Sequence, residues 1–214
     1  MIGFVKKDWF ILRKQMRTYA LILVVYALLS ISGVWGSNLI AAMVALVTLM
    51  CPLTAFALDQ ATRWDAYACS LPDGGKGAVA GRYLCTISIW FMATVLCCVI
   101  SAVLWAAGLL EGNILELLVG NLVSGATGLL MAAVTLPLCY KFGVERGRVL
   151  MTLVFVCVFV GILATPGLVD GLLPAAMDTE MLVIGGLVCF VVLVVAGLYL
   201  SYRISWGIYL KKEW

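Results

Sequence analysis

The 214-residue chain contains no histidine. That absence removes His-based nucleophilic triads, His metal ligands and His proton relays together. Charge is also scarce: Asp, Glu, Lys and Arg make up 12% of the residues, about half the share in a soluble domain. No G-x-x-x-x-G-K-[ST] phosphate loop occurs, because Gly74-Gly75-Lys76 has neither the spacing nor a following Ser or Thr. Nucleotide hydrolysis would therefore need another polypeptide. The 8 cysteines include no C-x-x-C pair and fall mostly in apolar runs, so they read as small apolar filler rather than a disulfide framework. What is abundant is apolar: 64% of the residues are hydrophobic. A globule of this size cannot hide that much apolar surface, so lipid is the solvent. Disorder is excluded by the same figure, and no room is left for a separate soluble catalytic domain. A net charge of +3 is too small to indicate nucleic acid.

Apolar runs long enough to cross a bilayer fall at 19–36, 39–57, 83–109, 117–140, 149–165 and 181–202. The third is long enough to tilt, and the fifth is short and ends at Pro166. A signal peptide fits the start poorly: the first run is too long, lacks an A-x-A site and leads straight into a second run. The expected fold is an all-α membrane protein of six transmembrane helices, which satisfy their own backbone groups in lipid.

All 14 Lys and Arg lie in four segments: the N-terminus, residues 58–82, the connection at 141–148 and the C-terminus. The other three connections carry only Glu111, Glu116, Asp170, Asp178 and Glu180. The positive-inside rule then places both termini in the cytoplasm. No ionisable residue lies well inside a run; Glu116 sits at an edge. Ion-coupled transport usually needs such groups, so energy for uphill transport would arrive from outside the membrane.

Five segments carry potential chemistry. On a helix over residues 1–18, Ile2, Val5, Trp9, Leu12 and Met16 form one stripe, with Lys6, Lys7, Arg13, Lys14 and Arg17 beside it. This predicts an amphipathic interfacial helix facing membrane lipid or an acidic partner; a plain topology anchor is the alternative. In the connection 58–82, Asp59 and Arg63 stand four apart, Asp65 and Tyr67 follow, and Leu71-Pro72 and Gly74-Gly75 stop the pattern. A short helix is expected at about 60–71, presenting Trp64 and Tyr67 as a docking knob or lodging Trp64 among lipid head groups. The stretch YKFGVERGR at 140–148 predicts a tight turn, whether for docking or only for topology. In the fourth run Gly120, Ser124 and Gly128 stand four apart, with Asn121 and Thr127 nearby, which suits close helix packing or a polar cavity. The outer loop 166–180 is apolar yet broken by Pro and Gly, as in a re-entrant or interfacial hairpin.

These segments carry a family resemblance. FALDQATRWDAYACSLP with Arg82-Tyr83-Leu84 downstream resembles the first cytoplasmic loop of small ABC-2 type transporter permeases, of the subgroup that contains the phenol-soluble-modulin export permeases. YKFGVERGR resembles the second loop, SYRISWGIYLKKEW the C-terminal tail and MIGFVKKDWFILRKQ the amphipathic start. The run Asp73-Gly74-Gly75-Lys76-Gly77 departs from the basic, helix-forming stretch expected there. The resemblance implies a non-catalytic membrane subunit paired with a cytosolic ABC ATPase, two of each, as a homodimer or a heterodimer of permeases. ATP and Mg would sit on the partner, and this chain would bind no cofactor and no nucleic acid. Asp59, Arg63, Trp64, Asp65, Tyr67, Leu71, Pro72, Lys141, Phe142, Glu145 and Arg146 would dock the ATPase, 1–18 would be the elbow helix, and 166–180 the outer closure. The implied function is export of an amphipathic peptide, toxin-like or antimicrobial, across the bacterial plasma membrane. Two rivals differ in class. A substrate-binding subunit of a vitamin importer would need a deep polar outward pocket, and an intramembrane hydrolase would need an ionisable pair within the spans.

Overall fold

The computed structural model describes residues 2–31, 38–62, 64–69, 74–110, 113–164 and 179–211, and they are helical almost throughout. The helices are α1 (Ile2–Ile31), α2 (Asn38–Thr62), α3 (Trp64–Cys69), α4 (Gly74–Ala106), α5 (Ile114–Phe142), α6 (Val144–Ala164) and α7 (Thr179–Lys211). No strand occurs among the described residues. Leu39–Thr62, Gly77–Ala106, Ile114–Phe142 and Gly185–Leu210 are long and apolar enough to cross a membrane. The arms Gly3–Arg13 and Gln15–Ile31 of α1 meet at a 56° bend and make a fifth span if they count as one. The expected run at 149–165 falls on α6, which does not join that set among the described residues. By length and composition the described residues thus give four spans, or five if the bent pair counts as one, and α6 lies where a further one was expected.

α2 is the central helix. Its most apolar window is 61% buried, against 22% in α4 and 11% in α7. It packs on α5, α4, α1 and α6, while α5 also meets α7, α4 and α6. Close approach follows from missing side chains. A Cβ on Gly128 would lie 2.8 Å from Ala45 Cα of α2, and one on Gly125 would lie 2.7 Å from Trp90 Nε1 of α4. Ser124 donates to the Ala41 carbonyl at 2.6 Å, and Asn121 donates to Ser101 Oγ at 3.0 Å.

Hydroxyls in the apolar runs are mostly satisfied by their own helix. Thr48, Thr86, Thr94, Thr127 and Thr135 each donate to the carbonyl four residues back. Pro137 breaks that economy within α5. It has no N–H for the carbonyl of Ala133, and Ser201 of α7 donates to that carbonyl instead. Ser201 has then spent its proton, so Tyr83 of α4 donates to Ser201 (2.5 Å) and accepts from Ser205 (2.8 Å). One proline is thereby answered by a hydroxyl chain joining α4, α5 and α7.

Two sequence expectations are corrected by the helix boundaries. Gly74-Gly75 does not end a helix; it opens α4, so 74–82 is helix rather than loop. The expected helix at 60–71 divides: residues 60–62 close α2, and the separate helix is Trp64–Cys69. The hairpin at 166–180 lies outside the described residues up to Thr179, where α7 begins, and Leu71 and Pro72 lie outside them too.

Candidate functional site

The four basic segments converge on one end of the bundle. Lys7 of α1 reaches Asp59 at the end of α2, Gln60 reaches the start of α6, and Tyr140 of α5 meets Tyr209 near the end of α7. At this basic end lies a buried group of four charges that sum to zero. Lys7 Nζ donates to Asp59 Oδ1 and Oδ2 at 2.6 and 2.7 Å, and Arg82 of α4 donates to Asp59 Oδ2. Asp8 stands 3.2 Å from Lys7 Nζ and 3.1 Å from Arg82 Nη1, within ion-pair range but without an aligned hydrogen bond from either. Asp59 is therefore the principal acceptor. It is 2% exposed and Asp8 3%. Removal of such charges from water is costly unless each is paired, and here each cation finds both acids. Arg82 also lies over the Phe56 ring at 4.6 Å, and Phe56 meets Tyr140 edge-on at 4.7 Å.

The geometry that permits this cluster comes from α4. Gly77 and Gly81 form a G-x-x-x-G step, and Phe4 of α1 fills the space they leave. A Cβ on Gly81 would lie 2.8 Å from Phe4 Cβ. The N-terminal arm of α1 thus lies directly on α4. Its expected apolar stripe is only partly inward: Leu12 is buried, Val5 and Met16 half-buried, and Trp9 is 38% exposed. Its basic face is split as well. Lys6, Arg13 and Arg17 are exposed, whereas Lys7 turns into the cluster, which the stripe did not predict.

The docking candidates separate into two groups. Asp59 is a correction: the sequence placed it on a surface loop in an i,i+4 pair with Arg63, but it is enclosed by Lys7 and Arg82, and Arg63 lies outside the described residues. Trp64 is half-buried, with Lys7 Nζ 4.7 Å from its ring centre, so it is not a free knob. Tyr67, 5.2 Å from Trp64 between ring centres, is 57% exposed, while Ala68 turns fully inward. Asp65 lies on α3 between them.

The second group sits at the α5–α6 junction. The expected tight turn is there, reduced to Gly143, whose φ of +81° suits a residue without Cβ. Gln60 Oε1 accepts from the Val144 N–H at 3.1 Å, which caps α6 from the end of α2. Lys141, Phe142, Glu145 and Arg146 are exposed. Asp59 and Gln60, adjacent in sequence, thus brace different segments: Asp59 holds the α1 arm and α4, and Gln60 holds the α5–α6 turn.

Of the proposed packing residues, Asn121, Ser124 and Gly128 do pack inward. Gly120 has nothing within 4 Å of a built Cβ, and Thr127 is exposed, so neither lies on the contact face. Gly125 is the glycine that sequence spacing overlooked. The Asn121, Ser124 and Thr127 side chains each have a hydrogen-bond partner within the fold.

Comparison with known proteins places the chain in a family. The family model described as ABC-2 family transporter protein covers residues 3–210. No curated protein and no solved structure matches the chain. The matched stretch runs from the α1 arm to the last turn of α7 and so includes the charge cluster, α3 and the α5–α6 turn. With several helices apolar enough to cross a bilayer, and a family that implies partnership with an ABC ATPase, this chain belongs to the ABC-2 transporter family as a multi-pass permease.

Proposed function

We propose that the chain is the membrane subunit of an ATP-driven exporter in the bacterial plasma membrane, with both termini cytoplasmic. Two permease chains would work with two copies of a cytosolic ATPase, which supplies all nucleotide chemistry. The ATPase would dock on the basic end through Tyr67 of α3 and through Glu145 and Arg146 beside Gly143. The observation that carries this reading is the link of both exposed segments to the end of α2, the central helix: Gln60 caps the α5–α6 turn directly, and α3 is linked through Trp64, which lies under Lys7, the partner of the neighbouring Asp59. A push on either segment would be passed to α2, the most buried of the candidate spans. The substrate would be amphipathic, such as a toxin-like or antimicrobial peptide, because the polar groups of α5 are already paired within the fold and offer little to a strongly polar cargo.

Reconstitution with a cognate cytosolic ABC ATPase tests the reading. The complex should hydrolyse ATP faster when an amphipathic peptide is added and should move that peptide out of the cytoplasmic compartment. Gradient-driven transport by the permease alone, or an ATPase that binds only through a separate scaffold subunit as in a vitamin importer, overturns it.

A further inference from the structure

We propose that the trough between α5 and α7 at the basic end binds one anionic phospholipid, with an acyl chain along the trough and its phosphate on Lys141. The cavity has a volume of about 610 Å³ and lies between residues 130–142 of α5 and 197–208 of α7. At 1.5 Å per residue this is about 16 Å of helix, close to the hydrocarbon depth of one leaflet in a core about 30 Å thick. Its walls are Leu130, Val134, Leu138, Leu200 and Ile204, and it opens sideways, with Val134 43% and Leu200 61% exposed. Depth comes from Gly197, where a Cβ would approach Leu130 to 3.3 Å. The polar atoms at its floor, the Ala133 carbonyl and Ser201 hydroxyl, are already bonded to each other, so the floor of the trough is closed to water.

Lys141 supplies the charge complementarity. It stands at the end of the trough with its ammonium 5.1 Å from the Phe142 ring, and among the described residues no carboxylate lies within ion-pair range of it. Lys7 and Arg82, by contrast, are consumed in the buried cluster. A cation at head-group level above a leaflet-deep apolar trough matches a phospholipid with a net negative head group, the kind enriched on the cytoplasmic side. The second large cavity, about 590 Å³ between α1, α2 and α4, has only apolar residues and tyrosine on its walls and so has nothing to select an anionic occupant.

The inference shares the orientation proposed above but does not rest on ATPase docking, and its test leaves the ATPase out. Thermal unfolding of the purified permease is followed in detergent with added phosphatidylglycerol, with phosphatidylcholine of the same chains, or with inorganic phosphate. A ligand that binds the folded state raises Tm. Phosphatidylglycerol should raise it by a few degrees, and phosphatidylcholine and phosphate should not. Lys141→Ala should abolish the rise, as should Val134→Trp or Leu200→Trp, which fill the trough from exposed positions. Arg148→Ala, which removes an exposed charge outside the trough, should keep it. Equal stabilisation by phosphatidylcholine, a rise that survives Lys141→Ala, or one lost in Arg148→Ala overturns the proposal. ATPase binding, measured separately on the same variants, shows whether docking stands or falls independently.

Discussion

Lys7 holds both carboxylate oxygens of Asp59, at 2.6 and 2.7 Å, across 52 positions of sequence. The contact joins the first arm of α1 to the last turns of α2, and Arg82 extends it to α4. A buried pair adds little net stability compared with apolar residues, but loss of one partner leaves the other charge stranded. The cluster therefore acts as a specification of where α1 lies rather than as a large stabilising term.

Asp59→Asn should lower stability by about 3–5 kcal/mol, the usual consequence of an uncompensated buried charge. Lys7→Met combined with Asp59→Asn leaves Asp8 and Arg82 as a balanced pair and should recover part of that loss. The two changes should therefore couple by roughly 1 kcal/mol or more in a double-mutant cycle. Chemical or thermal unfolding in detergent measures both. Strict additivity would show that Lys7 and Asp59 do not act as a unit.

For docking, Tyr67 is the residue to remove. Loss of an interface aromatic typically costs about 2 kcal/mol or more, roughly thirtyfold in affinity. Tyr67→Ala should weaken ATPase binding by that order while the permease still inserts and folds. Trp64→Ala should do the same and also lower stability, because Trp64 is half-buried beneath Lys7. Pull-down of the ATPase and unfolding of the permease alone separate the two effects. Unchanged binding in both variants would move attention to Glu145 and Arg146.

The helical class and the gathering of basic segments were legible in the sequence, because apolar runs and charge placement are properties of single stretches of chain. The buried charges were not. Asp59 and Arg82 lie just beyond the apolar runs and look like ordinary loop charges, and Asp8 is a lone acid among basic neighbours. Their pairing depends on how three helices cross. One signal was present and misjudged: Gly77 and Gly81 stand four apart, but the preceding Gly74-Gly75 read as a turn and hid the G-x-x-x-G step. In α5 the spacing of four selected Gly120-Ser124-Gly128, whereas the packed face runs Asn121-Ser124-Gly125-Gly128, alternating steps of three, one and three.

That difference is testable by adding one methyl group. Gly128→Ala should be destabilising by about 1–3 kcal/mol, since its Cβ would meet the α2 backbone, which cannot yield as a side chain could. Gly120→Ala meets nothing within 4 Å and removes a flexible residue from a helix. It should be neutral or stabilising by up to about 1 kcal/mol. Unfolding of the two variants side by side checks the packed face, and equal destabilisation would place Gly120 on it after all.

Orientation can be read with thiol chemistry. On a background with the 8 native cysteines replaced, Asp178→Cys should react with an impermeant reagent in intact cells and Lys76→Cys should not. The expectation comes from the confinement of every Lys and Arg to alternate segments. The reverse labelling pattern would put the basic end, with Tyr67 and the α5–α6 turn, outside the cell and remove any cytosolic ATPase from reach.

The hydroxyl chain behind Pro137 makes the most specific prediction. Ser201 donates to the Ala133 carbonyl that Pro137 leaves without its helical N–H. Ser201→Ala should therefore orphan a buried acceptor and cost about 1–3 kcal/mol. Pro137→Ala restores an N–H four residues after Ala133, so the carbonyl regains a partner inside α5. In that background Ser201→Ala should cost clearly less, because Tyr83 keeps Ser205 and Ala133 keeps its helix bond. The measurement is a four-member cycle of unfolding free energies. A Ser201→Ala cost that is the same with Pro137 or Ala at that position would mean that the serine serves Tyr83 alone, and that the proline carbonyl is satisfied by something else.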